Sequence, residues 1–526
     1  MTPTTAMRER PAVSPWIIAA TVMLATFMEV LDTSVANVAL PHIAGNLSAS
    51  VDEATWVLTA YLVANAIVLP LSGFLSTLFG RKRFYMTCVA IFTLSSLLCG
   101  VAPSLGWLIA FRIMQGLGGG ALQPISQAIL VESFPREKQG VATAFYGMGV
   151  VVAPVIGPTL GGWITDNYTW RWIFLINIPI GVLSILLTTW LIVDPPHLIR
   201  RTFANGLRLD YIGLSLLTVG LAALEIMLDE GQRKDWFGSN VIVVAAILTV
   251  VCLVGVVIWE LRQKDPVVDF RILGNRNFAL AAVSMYALGF TLYGSTTILP
   301  IFLQTVLGYT ALLSGLVLSP GGFAMMIGMA IVGRLLGRFQ ARWLIVFGLI
   351  VAASGVFQMA SFNLDVDFRT AMWARTIQAL GMAFLFVPIN TSAFSTVPRE
   401  KLAYATGLMN LFRNIGGSAG IAMVTTVLAR REQFHQQVLV SHLTPLDPAY
   451  GEMLRNTTAA IVARGSNVVD AANQAQGVLY GMVQRQAAML AVTDTFWLLA
   501  LIFLAMIPLA LFLKPTSPQA TPSVME

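Results

Sequence analysis

Two carboxylates inside an apolar run are the residues best placed to do chemistry. Glu29 and Asp32 fall in residues 25–41, which close an apolar run that starts at Trp16. The run is long enough to cross a bilayer as a helix. An acidic side chain near the centre of a spanning helix costs about 2.5–3.5 kcal/mol on insertion scales. Such a group either faces a cavity, where it binds something or takes up a proton, or it pairs with a base and ties helices together. Glu29 and Asp32 are three residues apart and so share one helix face. The pair is therefore a candidate to bind a ligand or to take up protons, with Asp32 as main carrier and Glu29 as auxiliary in the second case.

A carboxylate in this setting calls for a counter-charge. Segment 4 carries Arg112, Gln115, Gly119, Gln123 and Ser126 at helical spacing, one polar stripe within an apolar run. Arg112 is the expected partner of Asp32 or Glu29, since an unpaired guanidinium at that depth is very costly. The stripe lines a cavity or another helix; a cavity would take Gln115, Gln123 and Asn37 from the first half of the chain. Arg375 and Gln378 repeat Arg112 and Gln115 in the second half, where Asn390 and Arg413 are further cavity candidates, Arg413 either facing the cavity or pairing structurally. Glu225 is expected to reach the outer interface.

Other chemistries find no support in the sequence. Only 11% of the residues are charged and 56% are hydrophobic, against about 25% charged in soluble domains. The net charge of +6 is spread in small groups rather than along a basic stripe, so nucleic acid is not an expected partner. Cys88, Cys99 and Cys252 lie in apolar runs without a CxxC pair, and the four histidines fall between runs. No metal site is expected. Gly116-Leu-Gly118-Gly119-Gly120-Ala121 fits a dinucleotide pattern but sits in a spanning segment that follows no strand. There is no GxxxxGK[ST] loop, which counts against ATP-driven pumping, and no convincing nucleophile–base or metal constellation, so no cofactor and no enzymatic activity are expected.

The elements that must hold these groups are helices. Fourteen apolar segments stand near 16–40, 54–77, 84–103, 106–132, 140–164, 172–193, 210–228, 239–260, 277–302, 314–337, 343–361, 370–395, 403–429 and 491–513. The fold class is therefore an all-α polytopic membrane protein. Alternate loops hold the basic groups Arg81, Lys82 and Arg83, then Arg200, Arg201 and Arg208, then Arg334, Arg338 and Arg342. Both termini are expected in the cytoplasm. Arg112-Ile-Met-Gln115 recurs 263 residues later as Arg375-Thr-Ile-Gln378, and Pro135-Arg136-Glu137-Lys138 recurs as Pro398-Arg399-Glu400-Lys401. The same offset carries Gln127 onto Asn390 and Gly157 onto Gly420. Residues 1–193 and 277–526 are accordingly expected to be parallel six-helix halves with a substrate site between them. Residues 194–276 then hold a linker and an inserted pair. Residues 430–490 are expected to be a long periplasmic loop with a turn at Thr444–Pro448 and helical patterns on either side.

Two motifs look conformational. Gly73-Phe-Leu-Ser-Thr-Leu-Phe-Gly80-Arg81-Lys82-Arg83 is a cytoplasmic turn framed by glycines, with the basic triplet either anchoring it or serving only as topogenic charge. Pro154, Gly157, Pro158 and Gly161 in segment 5 combine close helix approach with lost backbone donors, and so mark a bend or gate.

With these features the chain resembles the major facilitator superfamily. Leu31-Asp32-Thr33 with Asn37-Val-Ala-Leu-Pro41, the segment 5 motif, and Trp172-Ile-Phe with Asn177-Ile-Pro179 resemble the fourteen-span drug/proton antiporters, most closely the EmrB-like multidrug exporters. The resemblance implies a major facilitator fold with 14 transmembrane helices. It also implies proton-coupled efflux of small amphipathic drugs across the inner membrane, and antibiotic resistance. A periplasmic membrane-fusion adaptor and an outer-membrane channel are the partners it implies. Thr77 departs from the acidic residue usual in the first cytoplasmic loop, and Glu29 is an additional carboxylate. Two rivals are a dedicated exporter of one metabolite, such as a siderophore or fatty acid, and a non-transporting receptor or scaffold.

Overall fold

A backbone in hydrocarbon must satisfy its own hydrogen bonds, which leaves helices or closed barrels, and this chain adopts the helical solution. The computed structural model describes residues 14–135, 138–194, 210–264, 266–444 and 447–514, among which no strand occurs. The basic tail, Arg136 and the linker residues 195–209 lie outside the described residues. Fourteen helices are long and apolar enough to span. They are α1 (Pro15–Asn46), α2 (Trp56–Phe79), α3 (Arg81–Gly100), α4 (Leu105–Ser133), α5 (Gln139–Asn167), α6 (Trp172–Leu191) and α7 (Tyr211–Glu230). The others are α8 (Asn240–Arg262), α9 (Arg276–Val306), α10 (Ala311–Leu335), α11 (Ala341–Met359), α12 (Phe368–Ser395), α13 (Leu402–Ser441) and α14 (Val468–Leu511). Several starts are fixed by side-chain caps: Asp210, Asn275, Thr310, Asp367 and Asn467 each accept a hydrogen bond from a backbone N–H of the first turn.

The packing repeats with the sequence. Helix α1 packs on α4, α5 and α6, while α9 packs on α12, α13 and α14. Likewise α3 packs on α4 and α6, and α11 on α12 and α14. Across the middle, α2 lies against α13 and α5 against α10. Gln127 donates to Asn390, its own counterpart in the repeat, at 3.0 Å. The two sets of helices thus meet about a pseudo-twofold relation.

Small residues set the spacing. A Cβ on Gly116 would lie 2.5 Å from the Tyr61 carbonyl oxygen, and one on Gly120 2.5 Å from that of Asn65. These two contacts seat α4 directly on α2. Gly157 and Gly161 bring α5 onto Ser34 and Val35 of α1, and Gly416 and Gly420 bring α13 onto the backbone of Tyr286 and Phe290 in α9. Helix α5 is continuous through Pro154 and Pro158. Gly80 has φ +83°, a conformation that favours glycine, and it separates α2 from α3.

Residues 430–490 hold helices on either side of the expected turn: α13 runs on to Ser441, a short helix occupies Pro448–Val462, and α14 begins at Val468; the turn itself falls partly on residues 445 and 446, which lie outside the described residues. The Gln- and Ala-rich sequence favours helix until Thr444-Pro, so the helices simply outrun the membrane. With 44 residues, α14 is about 66 Å long against about 30 Å of hydrocarbon. Arg431 and His435 of α13 both bond Asp494 of α14, at 2.5 and 2.7 Å, and Gln436 donates to the Tyr480 hydroxyl, tying the two arms together. Glu225, in turn, is buried rather than reaching the interface, because α7 is wedged between α2 and α13.

Candidate functional site

The glycine contacts of α4 decide what meets the carboxylates. With α4 drawn onto α2, Arg112 and Gln115 face α1. The Arg112 NH1 donates to Asp32 Oδ2 at 2.5 Å, while Gln115 Nε2 donates to Asp32 Oδ1 at 3.0 Å. Asn177 of α6 donates to the same Oδ1 at 2.7 Å. Asp32 is 2% exposed and Arg112 0%. Arg112 also donates to the Val57 carbonyl and to Gln115 Oε1, and its guanidinium lies 4.1 Å over the Tyr61 ring. Ser96 of α3 accepts from both Gln115 and Asn177. One carboxylate thereby joins α1 to α4 and α6, with α2 and α3 in the next layer.

Glu29 is held differently. Its Oε1 accepts from the Tyr61 hydroxyl at 3.0 Å and from Asn65 at 3.1 Å, and its Oε2 from Gln123 at 2.6 Å. The expected counter-charge was Arg112 for either acid; the structure gives Arg112 to Asp32 alone. Tyr61 lies between the two sites, its ring under Arg112 and its hydroxyl on Glu29. The Gln123 carbonyl accepts from Arg413 of α13, so a single amide links Glu29 to a cation of the second half.

The remaining expected residues spread over the molecule. Arg375 donates to Gln378 Oε1 at 2.7 Å, to Ser295 at 3.2 Å and to Thr296 at 3.0 Å. Asn390 and Asn410 both bond Gln127 at the seam between halves. Asn37 is exposed and donates back to the Thr33 carbonyl, so it takes no part in the carboxylate cluster. Gly73 packs against Tyr404 of α13, where a Cβ would come within 2.8 Å of the backbone. Arg81 is more than topogenic charge: it is buried and paired with Glu132 at the end of α4.

Tyr61, Asn65, Ser96 and Asn177 escaped the sequence reading as site residues. Tyr61 and Asn65 are polar groups one turn apart in an apolar run, the same signal that marked Arg112 and Gln115. Asn177 stands in the segment 6 motif, but nothing local says that it reaches Asp32. Elsewhere, a cavity of about 220 Å³ opens where α7 meets α2 and α13, lined by Thr59, Glu225, Asp229, Arg233 and Ser418 among others. Glu225 accepts from Ser418 of α13 at 2.8 Å, Asp229 accepts from Thr59 of α2, and Trp236 donates to Thr426 at 3.0 Å. The inserted pair therefore bridges both halves along one seam.

Comparison with known proteins adds the following. The Major Facilitator Superfamily family model matches residues 22–421. The fatty acid resistance protein FarB of Neisseria gonorrhoeae is 39% identical over 94% of this chain and 94% of its own length. The multidrug export protein EmrB of Escherichia coli K12 is 37% identical over the same shares. Among solved structures, the proton:xylose symporter XylE superposes with a TM-score of 0.57 over 97% of this chain and 98% of that chain. At 14% identity, that likeness speaks for the fold alone.

Proposed function

This chain belongs to the major facilitator superfamily, and we propose that within it the protein drives drug export by proton entry through Asp32. It is a multidrug exporter of the EmrB-like type and a multi-pass protein of the inner membrane. The observation that carries the proton reading is the buried Asp32–Arg112 pair, gripped by helices α4 and α6 together.

A proton on Asp32 removes the charge that holds Arg112. Arg112 keeps the Val57 and Gln115 oxygens and the Tyr61 face. Protonation therefore loosens α1 from α4 and α6 without stripping the guanidinium of partners. A proton on Glu29 acts one layer further in, on the Gln123 amide that reaches Arg413 across the seam. In this reading the bodies that rock are residues 1–193 and 277–526, with the contacts between them, α2 on α13 and α5 on α10, as the packed surfaces that shift. Gly73 lies on the first of these surfaces, against Tyr404; Gly157 and Gly161, with Pro154 and Pro158, set α5 on α1, and Gly80 and Arg81 form the turn from α2 to α3. Each proton entering down about 100 mV supplies about 2.3 kcal/mol. A tenfold gradient costs about 1.4 kcal/mol, so one proton supports about a fifty-fold gradient of neutral cargo. The test is direct: adding tetraphenylphosphonium to the purified detergent-solubilised protein releases protons into a weakly buffered medium. An unchanged pH at saturating cargo rules out coupled antiport.

The basic groups of the alternate loops support cytoplasmic termini, and on that reading the arms of α13 and α14 and the Pro448–Val462 helix stand in the periplasm. Their exposed apolar side chains, including Phe434, Met453 and Tyr480, suit a helical adaptor protein that continues to an outer-membrane channel. The three native cysteines are buried, so a cysteine placed at Asn456 reports alone. It reacts with an impermeant thiol reagent in intact spheroplasts. Replacing residues 442–467 with a short Gly/Ser linker then abolishes resistance in cells and spares transport in proteoliposomes. Lost transport in both settings makes the segment a lid instead.

A further inference from the structure

The second half contains the donor set that grips Asp32, but not the carboxylate. Arg375 and Gln378 stand 263 residues after Arg112 and Gln115, and Ser295 stands 263 residues after Asp32. The geometry is shared. Gln115 Oε1 accepts from Arg112 NH1 at 2.8 Å, and Gln378 Oε1 accepts from Arg375 NH1 at 2.7 Å. In the first half the next contact of NH1 is Asp32; in the second it is the Ser295 hydroxyl at 3.2 Å. Gln115 Nε2 donates to Asp32, whereas Gln378 Nε2 is buried without a hydrogen-bond partner. Arg375 Nε is buried and unpartnered as well. The hydrogen bonds of Arg375 to Ser295, Gln378 and Thr296 all go to neutral groups, and none of the ion pairs among the described residues includes it.

A guanidinium stays charged at any pH a protein meets, and burying an ion without a counter-charge costs several kcal/mol. Arg375 is 7% exposed on a helix that spans the membrane. We propose that Arg375 and Gln378 form a binding site for the carboxylate of an amphipathic organic acid carried as cargo. The cargo's carboxylate takes the place that Asp32 holds in the first half: one oxygen on the Arg375 guanidinium, the other on Gln378 Nε2. Serine at 295 is shorter than aspartate and bears no charge, so the chain itself does not fill that place. The two halves thus divide one inherited arrangement, the first keeping its own acid for protons and the second borrowing an acid from outside. The inference rests on the export reading above and adds a class of cargo to it.

Decanoate is the probe, decanamide its uncharged analogue and tetraphenylphosphonium the cationic reference, all measured by equilibrium binding to the full-length purified protein. The wild type binds decanoate at least about tenfold more tightly than decanamide, the worth of one charge-assisted hydrogen bond. Ser295→Asp supplies the missing carboxylate from within. It weakens decanoate binding by at least about tenfold, raises the melting temperature and does not weaken tetraphenylphosphonium binding. Ser295→Asn, of similar size but neutral, keeps the preference for decanoate over decanamide. Should Ser295→Asp fail to fold, Arg375→Gln must show the same selective loss. Wild-type affinity for decanoate in Ser295→Asp overturns the proposal, as does an equal loss for the cationic cargo. Coupled transport of tetraphenylphosphonium with no decanoate binding sinks this site alone, whereas transport of neither compound sinks the export reading.

Discussion

Asp32→Asn stops proton-driven accumulation of cargo in inverted membrane vesicles while the protein still folds and binds cargo. Asparagine keeps the shape of aspartate and an oxygen to accept from Arg112 or Gln115, but it neither takes up nor gives up a proton at neutral pH. The guanidinium retains the Val57 carbonyl, the Gln115 oxygen and the Tyr61 face, which is why the fold survives. Without coupling, the roughly fifty-fold gradient supported by one proton at 100 mV collapses to about equal concentrations. Proton release on adding tetraphenylphosphonium disappears with it. Glu29→Gln alone has a smaller effect, because Glu29 has no direct cation to release. Normal proton-driven transport by the Asp32→Asn, Glu29→Gln double variant would falsify the mechanism and move the search to Glu225.

The second large effect is energetic coupling between Asp32 and Arg112. Removing one member of a buried pair costs about 3–5 kcal/mol, because the other is left buried without its counter-charge, while replacing both with neutral groups is often close to neutral. Asp32→Asn and Arg112→Met should therefore each lower the melting temperature in detergent. The double variant should be more stable than the sum of the two losses by about 3 kcal/mol. The expectation is sharp because Asp32 lies 2.5 Å from Arg112 with both side chains buried. Simple additivity of the two losses would show that the pair is weak and that Gln115 and Asn177 hold Asp32 without help. The same cycle run on Glu29 and Arg112 should be additive, since the two do not touch and meet only through Tyr61.

Much of this protein was legible in the chain itself. Fourteen spans follow from hydropathy because the bilayer tests each segment on its own length and composition. The repeat was visible because Arg112–Gln115 and Arg375–Gln378 kept both identity and spacing. Glu29, Asp32 and Arg112 stood out because a charge in an apolar run is costly wherever it ends up. The apolar segments 403–429 and 491–513 mark spans, while their helices run on to Ser441 and begin already at Val468, since polarity marks where the membrane stops and not where a helix stops.

The tertiary structure alone decided the partners. Asp32 and Arg112 lie 80 residues apart, and Asp32 and Asn177 145 residues apart. Whether such groups meet depends on how closely helices approach, and that is set by Gly116 and Gly120 against the backbone of α2. A shift of about 1.5 Å, one residue's rise along α4, is enough to take Arg112 off Asp32. The same geometry placed Tyr61 between the two acids, gave Glu29 an amide link to Arg413, and set Arg375 against Ser295, where the first half has an aspartate. Sequence determined which charges enter the membrane, because their cost is paid residue by residue; helix packing determined which of them are answered, because a hydrogen bond is lost within an ångström.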